Sequence, residues 1–177
     1  LSPYYSNQLA AKYAYNPEKF QNALAETGNV GSTVRILVNE GDTLRLRVAR
    51  EIGKILESYG LVVEMFEYRD ENYFYMLGIG KYDIYVGKTR LSPNMDLSPF
   101  FATNGALRQG GMSDPVLYSF CQEALANKGN YYNLHQQAAD DGRITSIAFL
   151  NYAVYADRGL ITNMTPDHLD RYGYNME

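Results

Sequence analysis

Val34–Met65 reads VRILVNEGDTLRLRVAREIGKILESYGLVVEM, and its texture changes three times. Val34–Val38 places apolar residues on both alternating sets, as a strand buried on both faces does. Asn39-Glu40-Gly41-Asp42 then breaks the run. Beyond it Val48, Ile52, Ile55, Leu56 and Tyr59 recur on one helical face. Arg45, Arg47, Arg50, Glu51, Lys54 and Glu57 fall on the solvated sides, with Arg47 and Glu51 one turn apart. Gly60 stops the helix, and Leu61–Tyr68 (LVVEMFEY) reads as a second strand. Strand, helix and strand in this spacing predict a βαβ unit with a right-handed crossover and a parallel sheet.

The same rhythm continues on either side. RDENYFYMLGIG (69–80) predicts a short helix ending in glycines, and YDIYVG (82–87) a third strand. Upstream, YNPEKFQNALAETG predicts a helix capped by Asn16, with Pro17 in its first turn and Gly28 at its end. Phe20, Ala23 and Leu24 share one face of it. Downstream, LSPFFATNGALRQGGMSD is loop-rich, DPVLYSFCQEALAN is a helix capped by Asp114, and NYYNLHQQAADDG is a helix ended by Gly142. RITSIAFLNYAVYADRGLI (143–161) is β-like, and residues 162–177 read as irregular. The fold class expected is α/β, a mostly parallel sheet flanked by helices.

Composition narrows the function. With 46% hydrophobic and 20% charged residues, the 177-residue chain can build one ordinary core. No apolar run reaches the length that spans a bilayer. A net charge of −4 argues against a dedicated binder of nucleic-acid backbone. A single cysteine, Cys121, excludes an intrachain disulfide and a thiolate cluster, and it reads as a core thiol. The two histidines, His135 and His168, have no second ligand at metal spacing, so no metal or other cofactor is expected. The opening LSPYYSNQLAAKY carries no initiator Met and no signal-like segment, and reads as cut from a longer chain.

Catalytic motifs are weak. GIGK (78–81) lacks phosphate-loop spacing and precedes a strand, so its glycines are expected to end a helix. His135 reads as structural, and no GxSxG elbow occurs. Ligands of parallel sheets bind beyond the carboxyl ends of the strands, which singles out residues 39–42, 67–71 and 87–96. Asn39, Glu40 and Asp42 fit either a turn with a helix cap or a ligand-facing helix N-terminus, because both uses need the same geometry. GKTRLSPN, after the third strand, offers Gly87, Arg90, Ser92 and Asn94, with Arg90 suited to a carboxylate. It reads equally as a solvated loop.

The order of segments carries a resemblance. YNPEKFQNALAETG resembles the "y-DPEKAk-LL-eAG" helix of the extracellular solute-binding proteins, family 5, which serve oligopeptide, dipeptide and nickel ABC importers. RILVNEGDTLRLRVAREIGKILESYGLVVEM resembles the segment that follows there, KYDIYVG the family's "fDmal-g", and MDLSPFF its "pDp--fl--ff" stretch. The run 144–161 looks like the approach to that family's "P-iPLy" return strand. The resemblance implies one periplasmic-binding-protein-like (type II) lobe of a two-lobed protein. Residues 1–12 would be a hinge segment, 13–158 the lobe core and 159–177 a tail.

It also implies that the first lobe is missing from this chain, and that ligand is held between lobes by Asn39, Glu40, Gly87, Arg90, Ser92, Asn94, Asp96 and Asn104. An ABC permease would be the partner. The protein would be extracytoplasmic, either periplasmic or lipid-anchored, and would carry out no catalysis. Peptide binders of the family keep an acid soon after the third strand. Arg90 or Leu91 stands there in this chain, and Asp96 matches only the later acid. That departure points toward a neutral or anionic solute. A ligand-sensing domain of a regulator or receptor, and an α/β hydrolase, are the alternatives.

Overall fold

The computed structural model describes residues 4–92 and 94–148. Two short helices come first, α1 (Asn7–Lys12) and α2 (Pro17–Glu26). The β1 (Thr33–Asn39), α3 (Thr43–Ser58), β2 (Val62–Tyr68), α4 (Asp70–Ile79) and β3 (Ile84–Val86) series follows. A helical half closes the described chain: α5 (Ser98–Phe101), α6 (Pro115–Ala126), a 3-10 turn at Lys128–Asn130, and α7 (Tyr131–Asp141).

The three strands form one parallel sheet in the order β2-β1-β3. The central strand is the apolar run of the sequence: Ile36, Leu37 and Val38 are fully buried. Its alternation divides the core. Ile36 and Val38 pack with Ala49 and Val86 under α3, whereas Leu37 packs with Tyr73 and Leu77 of α4. The two crossovers therefore lie on opposite faces of the sheet, as right-handed connections running outward in opposite directions require.

The strands and helices appear where expected, with differences at their edges. The third strand spans three residues, Ile84–Val86, and just before it Asp83 is tied to Arg35 of β1: its amide donates to the Arg35 carbonyl at 3.0 Å, and its carboxylate grips the same residue. Its Oδ2 accepts from the Arg35 amide at 2.8 Å and from Nε at 3.0 Å, and Oδ1 accepts from the second guanidinium nitrogen at 3.0 Å. On α3 the contact line is set by small residues. Ala49 and Gly53 are buried, and a Cβ at Gly53 would lie 3.3 Å from Val63. The helix rotates to bring that line onto the sheet, which leaves Ile55, expected on the buried face, 49% exposed. Glu51 pairs with Lys54 at 2.7 Å, and Arg50 ties α3 to β2 through Glu67 at 2.8 Å.

Caps fall on the anticipated residues. Asn16 accepts from the Lys19 amide at 2.9 Å, and Asp114 from Val116 and Leu117 at 2.8 and 2.9 Å. Gly80 ends α4 at φ 71°, so GIGK is a helix terminus. Helix α1 was not expected; Ser6 caps it, and Leu9 is buried. Lys12 and Tyr13 at its end reach Asp140 of α7. Residues 143–148, the start of the β-like run, are irregular, and 149–161, the tail and His168 lie outside the described residues.

The helical half has its own core of Phe101, Leu117, Cys121, Tyr131 and Leu134. Tyr85 of β3 joins it to the sheet, packing against this cluster with its hydroxyl 3.8 Å from the Met112 sulfur. Cys121 is buried, as a core thiol should be, and burial pushes it up to about 12. His135 is half-buried against the Tyr131 ring, 5.8 Å between centroids, and burial lowers its pKa.

Candidate functional site

The carboxyl edge of the sheet is where the loops of interest converge. Val38 pairs with Val86, so Asn39 and Gly87 leave the sheet side by side. This is the position between the first and third strands at which a 2-1-3 sheet switches direction.

The loop after β1 is built by its own side chains. Asn39, 9% exposed, turns its Oδ1 back to accept from the Gly41 amide at 2.8 Å. Asp42 caps α3, its Oδ1 accepting from the Arg45 amide at 3.0 Å. That backbone bond, then the Arg45 guanidinium and the Lys88 charge, hold the Asp42 carboxyl below its ordinary value against the opposing effect of burial. Glu40 is fixed twice: its amide donates to the Tyr68 carbonyl at 2.9 Å, and its carboxylate pairs with Arg69 at 2.8 Å.

Arg45 is the residue that helical periodicity misplaces. It does not stand on the solvated side. Its side chain is 20% exposed, with Nε 3.1 Å from the Asp42 Oδ2 and its guanidinium 5.8 Å from the ring centre of Tyr73. Because Tyr73 belongs to α4 on the opposite face, Arg45 reaches over the rim and joins both sides of the sheet. Asn39, Gly41, Asp42, Thr43, Arg45 and Asp70 line a shallow open depression there. Asp70 begins α4 in the left-handed region at φ 46°, an uncommon conformation for a non-glycine residue.

The expected site residues divide into two groups. Asn39, Glu40 and Gly87 meet at the rim. Gly87 is there for space, since a Cβ would lie 2.8 Å from the Tyr85 ring. Arg90 is half-buried and already engaged by a neighbour. Ser92, Asn94 and Asp96 instead form a self-contained turn leading into the helical half. The Ser92 hydroxyl donates to Asn94 Oδ1 at 2.6 Å, and Asp96 accepts from the Ser98 amide at 2.8 Å. The Tyr131 hydroxyl donates to the Asn94 carbonyl. Asn104 lies exposed in the turn after α5.

No protein-family model and no curated sequence matches the chain. Solved structures do. AppA of Clostridium difficile, described as a peptide binding protein, superposes over 78% of this chain with a TM-score of 0.64 at 19% identity. The fold is that of a periplasmic-binding-protein-like lobe. AgaA of A. tumefaciens R10, solved with agropinic acid, covers 76% with a TM-score of 0.60 at 16% identity. NikZ of Campylobacter jejuni, solved with Ni(L-His), covers 69% with a TM-score of 0.53 at 16% identity. This chain spans 31%, 30% and 29% of the length of those three chains.

Proposed function

We propose that this lobe belongs to the substrate-binding component of an ABC importer, and that the rim at Asn39–Arg45, Asp70 and Gly87–Arg90 is one wall of a cleft closing on a small polar solute. The observation that carries this reading is the side-by-side exit of the loops after β1 and β3, in a fold shared with binding proteins. The first lobe of the same protein would supply the opposite wall, and the solute captured outside the cytoplasm would pass to an ABC permease in the membrane.

Capture needs no covalent step. Closure would exclude water and strengthen each hydrogen bond made to the ligand. The neighbours are solved with agropinic acid and with Ni(L-His), so one sheet tolerates very different ligands and the loops must choose among them. At this rim Glu40 is paired with Arg69 and Asp42 with Arg45. Charges compensated in this way favour a neutral or zwitterionic solute, a short peptide included, over a strongly anionic one.

A thermal-shift screen of the two-lobed protein with di- and tripeptides, amino acids and sugar acids tests the reading. A concentration-dependent rise in melting temperature with one ligand class is expected. Titration calorimetry on this lobe alone should show weak binding of the same compound, because half the contacts are missing. Tight binding by the isolated lobe, or a two-lobed protein that answers no small solute, would refute it.

A further inference from the structure

Asn104-Gly105 is the one Asn-Gly pair in the sequence, and the turn after α5 dictates the glycine. A Cβ there would lie 2.3 Å from the Pro99 carbonyl oxygen and 3.1 Å from that of Ala102. Asn104 itself is exposed. A residue without Cβ leaves its amide nitrogen open to close approach, and here that nitrogen adjoins an asparagine side chain. The same amide donates to the Ala102 carbonyl at 3.0 Å, so its reaction requires that bond to open.

We propose that Asn104 is a site of spontaneous deamidation whose rate is gated by opening of the α5 turn. Solvent base removes the Gly105 amide proton, and the nitrogen attacks Cγ of Asn104. A C–N bond forms, the Cγ–Nδ2 bond breaks, and ammonia leaves with a proton from solvent, giving a five-membered imide. Water then adds to one of the two imide carbonyls, the bond from that carbon to the ring nitrogen breaks, and the nitrogen regains a proton. The products are aspartate or isoaspartate, and the net change converts one amide and one water into a carboxylate and ammonium. Both add a negative charge. Isoaspartate also lengthens the backbone by one methylene, in a turn held by Leu107 to the Pro99 carbonyl at 3.0 Å and Arg108 to Gly105 at 3.3 Å. The inference holds whatever the solute of the lobe.

Incubation of the full chain in mildly alkaline buffer, then tryptic mapping, tests it. The peptide of residues 91–108 should gain one mass unit and resolve into two isomers, with fragment ions locating the change at Asn104. Peptides carrying Asn127, Asn130 and Asn133 should change severalfold more slowly, and denaturant should accelerate Asn104 severalfold. Asn104→Gln should abolish the product. Asn104→Asp carries the charge without the extra methylene, so it should melt above the aged isoaspartate form. Retention of the Asn104 amide while other asparagines react would overturn the site. Equal rates in folded and denatured chains would overturn the gate.

Discussion

Replacing Asp42 with alanine removes a helix cap and an ion pair at the rim with one change. The carboxylate caps α3 through the Arg45 amide at 3.0 Å, and it neutralises the Arg45 guanidinium at 3.1 Å. Loss of the cap costs about 1 kcal/mol. Arg45 is 20% exposed, and leaving its charge without the paired carboxylate adds about 1–2 kcal/mol, between the values for exposed and buried ion pairs. The sum, about 2–3 kcal/mol, lowers the melting temperature by about 5–10 °C for a domain of this size. Asp42→Asn keeps an oxygen for the cap and removes only the charge, so it should cost about 1 kcal/mol or less.

Urea denaturation followed by far-UV circular dichroism measures both variants, with unchanged slope as the sign that only stability moved. The pH dependence has a defined direction. Asp42 is held below its ordinary value in the fold, so the unfolded chain takes up the proton first. Its contribution is therefore complete above about pH 4 and is lost as pH falls through the lowered folded value. The gap between wild type and Asp42→Ala should shrink in that range. A Asp42→Ala variant within about 0.5 kcal/mol of wild type, or an Asn variant as damaged as the Ala one, would refute the reasoning.

Other perturbations probe other parts of the fold. Burial lowers the pKa of His135, so the unfolded chain binds its proton first, and stability should decline as pH drops below about 6.5. Thermal melts at pH about 8 and about 5.5 should show a smaller decline for His135→Phe than for wild type. Cys121 is buried and pushed up to about 12, so a thiol reagent should modify the native chain only as it opens and the denatured chain at once. Gly87→Ala drives a methyl toward the Tyr85 ring at 2.8 Å. Since that ring is packed against the helical half, urea titration should register a loss of about 1–3 kcal/mol.

The parts of the fold that were legible in the sequence are those where one physical preference acts alone. An apolar run on both alternating sets has nowhere to go but between two layers, and Ile36, Leu37 and Val38 lie there. Asn16, Asp42 and Asp114 cap because a short acceptor at a helix start has little competition. Ile55 is exposed because the buried face of α3 is marked by its small residues and not by its large apolar ones. A parallel sheet needs its helix close, and Ala49 and Gly53 allow the approach that larger residues would prevent. Strand β3 starts late, at Ile84, where the Asp83 carboxylate takes the amide of Arg35, a partner 48 residues away that no local window contains.

The geometry of the candidate site was legible in outline only, for a related reason. Parallel strands put their carboxyl ends along one edge, so the loops that hold Asn39, Glu40 and Gly87 could be named from the strand–helix–strand spacing. Which side chains turn toward the rim is a matter of contacts between elements. Arg45 has the spacing of a solvent-facing residue, yet Asp42 and the Tyr73 ring draw it over the sheet edge. Ser92, Asn94 and Asp96 have the chemistry of ligand contacts, but they spend it on one another and on the start of α5. The same hydroxyls, amides and carboxylates that bind ligands also build turns. Only the position of their partners separates the two uses, and at this rim it favours the loops after β1 and β3 over the turn at 92–96.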